Sequence, residues 1–176
     1  MRRQLLFGGL LAMLPGRARA ETTVTEIAPA LMGYAAGILA GLIGTAREQA
    51  IADGVQPVPA TVARGVHEYF PDGLLHRVRW AVGGAGRIAL PSLAFTYGDA
   101  AAMTLGDVVL FRDARAAQQD LKLWAHELTH VLQYQRWGID GFAERYVRDS
   151  RAIEKEAYDN ADRFIAWQSR GSSAAR

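Results

Sequence analysis

The segment of this chain best equipped for chemistry is His126-Glu127-Leu128-Thr129-His130, which holds two of its four histidines. The surrounding run reads as a helix. Helical side chains at i and i+4 project from nearly the same face, so His126 and His130 can converge on one divalent cation, most naturally zinc. Glu127 stands within reach of a water on that cation and is the candidate catalytic base. The chemistry would be metal-assisted amide hydrolysis. A water acidified by zinc toward a pKa of about 7 loses its proton to Glu127, which passes it to the leaving nitrogen.

Two histidines do not complete such a site, because catalytic zinc usually takes three protein ligands and keeps one position open. The chain has no cysteine, so the third ligand must be a histidine or a carboxylate. The last predicted helix offers one. Projected at roughly 100° per residue, Glu154 falls in an apolar arc with Ala157, Tyr158, Ala161 and Ile165. Glu156 falls on the opposite side with Asn160, Arg163 and Trp167. A carboxylate in an apolar arc is costly unless it is paired or binds metal. Glu154 is therefore the expected third ligand, for one zinc per chain, and Glu156 the reserve. The bland reading of Glu154 is a surface acid helped by the dipole of a helix start. A peptidase also needs a donor for the tetrahedral oxyanion. Tyr146, Tyr158, His67 and His76 are the candidates, and the sequence singles out none of them.

The elements that must position these groups can be traced outward. The zinc helix is predicted from about Asp120, a fair N-cap, to Trp137, with Gly138 as the residue after its end. Ser150 is the predicted cap of a last helix reaching about Gln168. Upstream, Met103-Thr104-Leu105 and Val108-Val109-Leu110-Phe111 flank Gly106-Asp107, which suits a two-residue hairpin turn, a bulged single strand being the other reading. Arg77 to Val82 alternates as a half-buried strand does, and Leu93 to Tyr97 is a second strand. Ala60 to Tyr69 is a short predicted helix, Phe70-Pro71-Asp72-Gly73 a turn, and Ala114 to Gln119 a polar connector. The expected fold is α+β, a compact zincin-like domain: N-terminal helices, a small mixed sheet or hairpin, the HExxH helix and a C-terminal helix.

Ile27 to Ala46 is uncharged over twenty residues, with Gly33, Gly37 and Gly41 at every fourth position. This small-xxx-small spacing suits close helix packing, and the length could cross a membrane. Its abundant alanine favours a helix buried beside the core, with membrane association the lesser reading.

The first twenty residues read as a secretory signal peptide. Arg2-Arg3 leads, Leu5 to Leu14 is apolar, and Ala18-Arg19-Ala20 offers a cleavage site after Ala20. Residues 21–168 then form the single domain and 169–176 a disordered tail. Removing Arg2, Arg3, Arg17 and Arg19 takes four of the 20 basic residues and none of the 18 acidic ones, so the formal charge moves from +2 to −2. The basic balance belongs to the leader and gives no reason to expect nucleic acid as a partner.

The run from Trp124 to Tyr134 resembles the core of a bacterial family of HExxH metallopeptidase domains often associated with extracellular contractile injection systems and polymorphic toxins. Ala102 to Phe111 resembles the strand before that family's zinc helix, and Phe70 to Val82 resembles it as well. The likeness extends over roughly Pro57 to Trp167. It implies a zincin fold with a glutamate third ligand. Glu154-Lys155-Glu156-Ala157 matches the family's Glu-x-x-Ala pattern and points to Glu154. It also implies that Met103 to Phe111 aligns a peptide as an added strand. Related enzymes often carry an acid after that alanine, orienting a zinc histidine. Tyr158 stands there in this chain, so Tyr158 or Asp159 would have to serve. The expected function is an exported, periplasmic or secreted zinc peptidase acting on a peptide or protein. The alternative is a zinc-stabilised binding or scaffold module of the envelope or of an injection apparatus, without turnover.

Overall fold

The computed structural model describes residues 16–83 and 101–174. The fold is α+β, as expected: helices pack around a small mixed four-stranded sheet. In chain order α1 spans Gly16–Asp53, β1 Gln56–Pro57, α2 Ala60–Val66, α3 Asp72–Leu75, β2 Arg79–Val82, β3 Ala102–Leu105, β4 Val108–Phe111, α4 Ala114–Gln119 and α5 Leu121–Ala174. Residues 1–15 of the predicted signal peptide and the predicted strand from Leu93 to Tyr97 lie outside the described residues. The predicted cut after Ala20 falls within α1.

Non-helical backbone at Gly138 (φ 69°, ψ 176°) and Asp149 (φ −156°, ψ 79°) divides α5 into three segments. Gly138 supplies a left-handed φ that other residues adopt at a cost. Asp120 caps the first segment as predicted, accepting from the Leu123 amide at 2.9 Å. Asp149, rather than the predicted Ser150, caps the third, accepting from the Ala152 amide at 3.1 Å. That segment runs to Ala174, past the predicted end at Gln168, so residues 169–174 of the predicted tail continue as helix. The predicted connector after β4 is itself a helix, α4, because Asp113 caps it on the Ala116 amide at 2.9 Å.

The sheet order is β1-β2-β4-β3, with β2 and β4 parallel and the two outer pairs antiparallel. β3 and β4 form the predicted hairpin about Gly106-Asp107, where Gly106 takes φ 70°. Arg47 of α1 pairs with Asp107 at 2.6 Å and ties the hairpin to that helix. β4 is buried along its length, and its period of two feeds two cores. Val109 and Phe111 join Trp80, Trp124, Leu128 and Phe164 in one core. Val108 and Leu110 join Ile43, Tyr134, Phe142 and Ile153 in the other. The first segment of α5 presents Trp124, Ala125, Leu128 and Val131 to the first core. At 3.6 residues per turn this turns His126, His130 and Gln133 to the opposite side of the helix.

α1 is buried along one stripe, Ala36, Ala40, Ile43, Ala46 and Ala50, while Leu31, Tyr34, Ile38 and Leu42 are exposed. The alanines, not the glycines, make the close approach: a Cβ added at Gly33, Gly37 or Gly41 would meet nothing within 4 Å. The expectation of a buried helix thus holds for one face only. Residues Pro29–Asp53 are long and apolar enough to cross a membrane by length and composition.

Candidate metal centre

His126 and His130 lie on the first segment of α5, and Glu154 one turn into the third segment. The kink residues Gly138 and Asp149 bring the two segments back against each other. Two polar chains brace them. Asn160 donates to Thr129 Oγ1 at 2.8 Å and accepts from the Tyr69 hydroxyl at 2.9 Å. Gln133 Nε2 donates to the Ile153 carbonyl at 3.1 Å and to Glu156 Oε2 at 3.0 Å.

The Nε2 atoms of His126 and His130 are 3.1 Å apart. Glu154 Oε2 lies 3.4 Å from the first and 3.5 Å from the second. Ligands about 2.0–2.1 Å from a tetrahedral zinc are separated by about 3.3 Å, so this triangle has the dimensions of one face of such a site. Both rings are buried, and the carboxylate side chain is about one-third exposed (32 %). Two imidazole nitrogens and a carboxylate oxygen form a donor set that zinc and other first-row divalent cations accept. His126, His130 and Glu154 could together hold a metal ion.

The electrostatics follow from this geometry. Burial pushes the Glu154 carboxyl up, but hydrogen bonds and positive charge from His126 and His130 outweigh it and hold the group well below the ordinary carboxylate range. Burial pulls the His130 imidazole down, yet its bond to Glu154 and the charges of Glu127 and Glu154 raise it above its ordinary value. Tyr146 donates to Glu154 Oε1 at 3.1 Å. Burial and the Glu154 charge push that phenol up to about 12, so it keeps its proton and remains a donor.

Glu127 is 3 % exposed. Thr104 of β3 donates its hydroxyl to Glu127 Oε2 at 2.7 Å, shorter than its 3.2 Å approach to the Glu127 carbonyl. The strand thus holds the candidate base. Thr104→Val keeps the shape and removes the donor to a buried carboxylate. It is expected to lower the unfolding free energy of the metal-free protein by about 1–3 kcal/mol, with Thr104→Ser closer to wild type. Urea unfolding checks this, and equal stability of Thr104→Val and wild type would contradict it.

A cleft of about 750 Å³ opens over His126, Glu127, His130 and Glu154, walled by Tyr146 and Tyr158 among others. Of the four oxyanion candidates, Tyr146 and Tyr158 line this cleft. His67, which faces Glu68 at 3.8 Å, and His76 are exposed and stand outside its lining. The Tyr158 ring packs 4.4 Å from the His126 ring and is 60 % exposed. Asp159 pairs with Lys155 at 2.6 Å. Glu156, the reserve ligand, points to Gln133 and to Arg136 at 3.2 Å, away from the imidazole pair. The sequence reading missed Thr104 and Gln133. Gln133 had one signal, a polar residue three positions after His130 on the same helical face.

Fold and site together define an α+β domain with a two-histidine, one-carboxylate constellation able to hold a metal. Residues 57–138 match the family model of the eCIS core domain, named for extracellular contractile injection systems. The match includes Thr104, His126, Glu127, His130 and Gln133 and ends at Gly138, before the segment that bears Glu154. No curated protein and no solved structure matches the chain.

Proposed function

We propose that this chain is a zinc-binding domain that works with an extracellular contractile injection system, and that its metal centre hydrolyses peptide bonds. One observation carries the chemical half of the proposal: the Nε2, Nε2 and Oε2 atoms form a triangle of 3.1, 3.4 and 3.5 Å beside a buried glutamate that is not part of it. Zinc held there would supply an acidified water and a polarised carbonyl. Glu127, held at Oε2 by Thr104, is the group that takes a proton from the cleft and returns it to the leaving nitrogen. Tyr146 keeps its proton and fixes the far oxygen of Glu154. Export by a leader cleaved after Ala20 belongs to the same proposal and is supported by the pattern of residues 1–20.

A second reading has its own support. The matched family is described by an injection apparatus and no reaction. That description favours a metal-stabilised binding or assembly module more directly than it favours an enzyme. The two readings separate in one experiment on the purified chain: bound zinc is measured, and cleavage of casein or a peptide library is compared between wild type and Glu127→Gln. Zinc near one per chain with cleavage lost in the variant supports the peptidase. Zinc near one per chain with equal background cleavage in both leaves the assembly module.

A further inference from the structure

We infer that Gln133 is a positioning residue of the metal centre: it fixes the tautomer of His130 and couples that ring to the segment bearing Glu154. The inference rests on the metal-site reading above and deepens it. Gln133 is fully buried, at 0 % exposure. Its amide nitrogen faces two acceptors, the Ile153 carbonyl at 3.1 Å and Glu156 Oε2 at 3.0 Å, so the nitrogen end of the amide is assigned by its surroundings. Its Oε1 then faces His130 Nδ1 at 2.8 Å. An amide oxygen only accepts, so the proton of the neutral ring sits on Nδ1 and the lone pair on Nε2. Nε2 is the atom turned toward His126 and Glu154.

The same side chain therefore reaches both halves of the site. One end sets the donor atom of His130. The other holds the backbone carbonyl immediately before Glu154 and, through Glu156, the Arg136 guanidinium. His126 has no such support among the described residues, where its Nδ1 is buried without a hydrogen-bond partner. Among the described residues, Gln133 is thus the group that holds a ring Nδ1 of the pair. Groups of this kind that hold a ligating histidine typically change metal affinity 10–100-fold when removed.

The test uses the full chain, free of metal and then titrated with zinc against a chromophoric chelator. Long-range proton–nitrogen spectra of the imidazoles, recorded where the rings are neutral, report the tautomer without reference to activity. In wild type His130 is expected to carry its proton on Nδ1. Gln133→Met keeps the bulk and loses the acceptor. It is expected to give mixed tautomers and zinc affinity lower by about 10–100-fold. The exchange Gln133→Glu with Glu156→Gln restores an acceptor at Nδ1 and a donor between the segments, but sets a carboxylate oxygen against the Ile153 carbonyl, and is expected to recover part of that loss. A wild-type His130 protonated on Nε2, or a folded Gln133→Met variant that binds zinc as tightly as wild type, would overturn the inference. If Gln133→Met does not fold, the wild-type spectrum and the exchanged pair decide. If wild type takes up no zinc, the functional proposal fails, while the metal-free spectrum still reads the tautomer.

Discussion

Glu154→Ala is expected to weaken zinc binding by more than about 100-fold, beyond the range typical of groups that only support a ligand. The variant leaves two imidazoles where catalytic and structural sites use three or four protein donors. It also removes the negative charge that the His126 and His130 rings face at 3.4 and 3.5 Å. Competition with a chelator of known affinity measures the loss, and affinity unchanged in Glu154→Ala would overturn the ligand assignment. The metal-free protein gives an independent sign. Glu154 sits below its ordinary pKa of 4.5, so its contribution is present above that value and lost as the pH falls from there. His130 sits above its ordinary 6.5, so its contribution is present below that value and lost as the pH rises through the raised one. The pair therefore stabilises the metal-free fold most between pH 4.5 and 6.5. Zinc affinity runs the other way and grows as His130 loses its proton. Glu154→Ala should flatten the first dependence.

Glu127→Gln is expected to lower cleavage by about 10²–10⁴-fold with zinc content unchanged. The amide has the shape of the carboxylate, and its oxygen still accepts from the Thr104 hydroxyl, so the buried position stays filled. Glu127 stands outside the triangle of ligand atoms. Loss of zinc in this variant would mean that Glu127 is a ligand. Retention of wild-type cleavage would mean that it is not the base.

Local chemistry made much of this site legible. The i, i+4 spacing of His126 and His130, the Asp120 cap, the Gly106-Asp107 turn and the apolar arc around Glu154 each depend on neighbours a few residues away. What was not legible depended on remote partners. Thr104 meets Glu127, and Gln133 meets Ile153 and Glu156, only once the chain has folded back on itself. The two-residue strand β1 forms in a proline-rich connector because β2 lies beside it, where Trp80 also donates to the Pro57 carbonyl. The α4 helix has no apolar periodicity of its own. Its Ala117 is buried, and Trp124 Nε1 donates to the Ala117 carbonyl at 2.7 Å. Asp149 and Ser150 are both able caps at adjacent positions, and sequence alone does not choose between them. On α1 the glycine pattern drew attention to one face, whereas Ala36 and Ala40, each one position before a glycine, make the contact.

The most direct measurement is anomalous diffraction at the zinc edge from crystals of the full chain grown with zinc. A single peak about 2.0–2.1 Å from His126 Nε2, His130 Nε2 and a Glu154 oxygen is the expected result. A peak elsewhere, or one held by the histidines with Glu154 turned away, would contradict the metal centre on which the functional proposal depends.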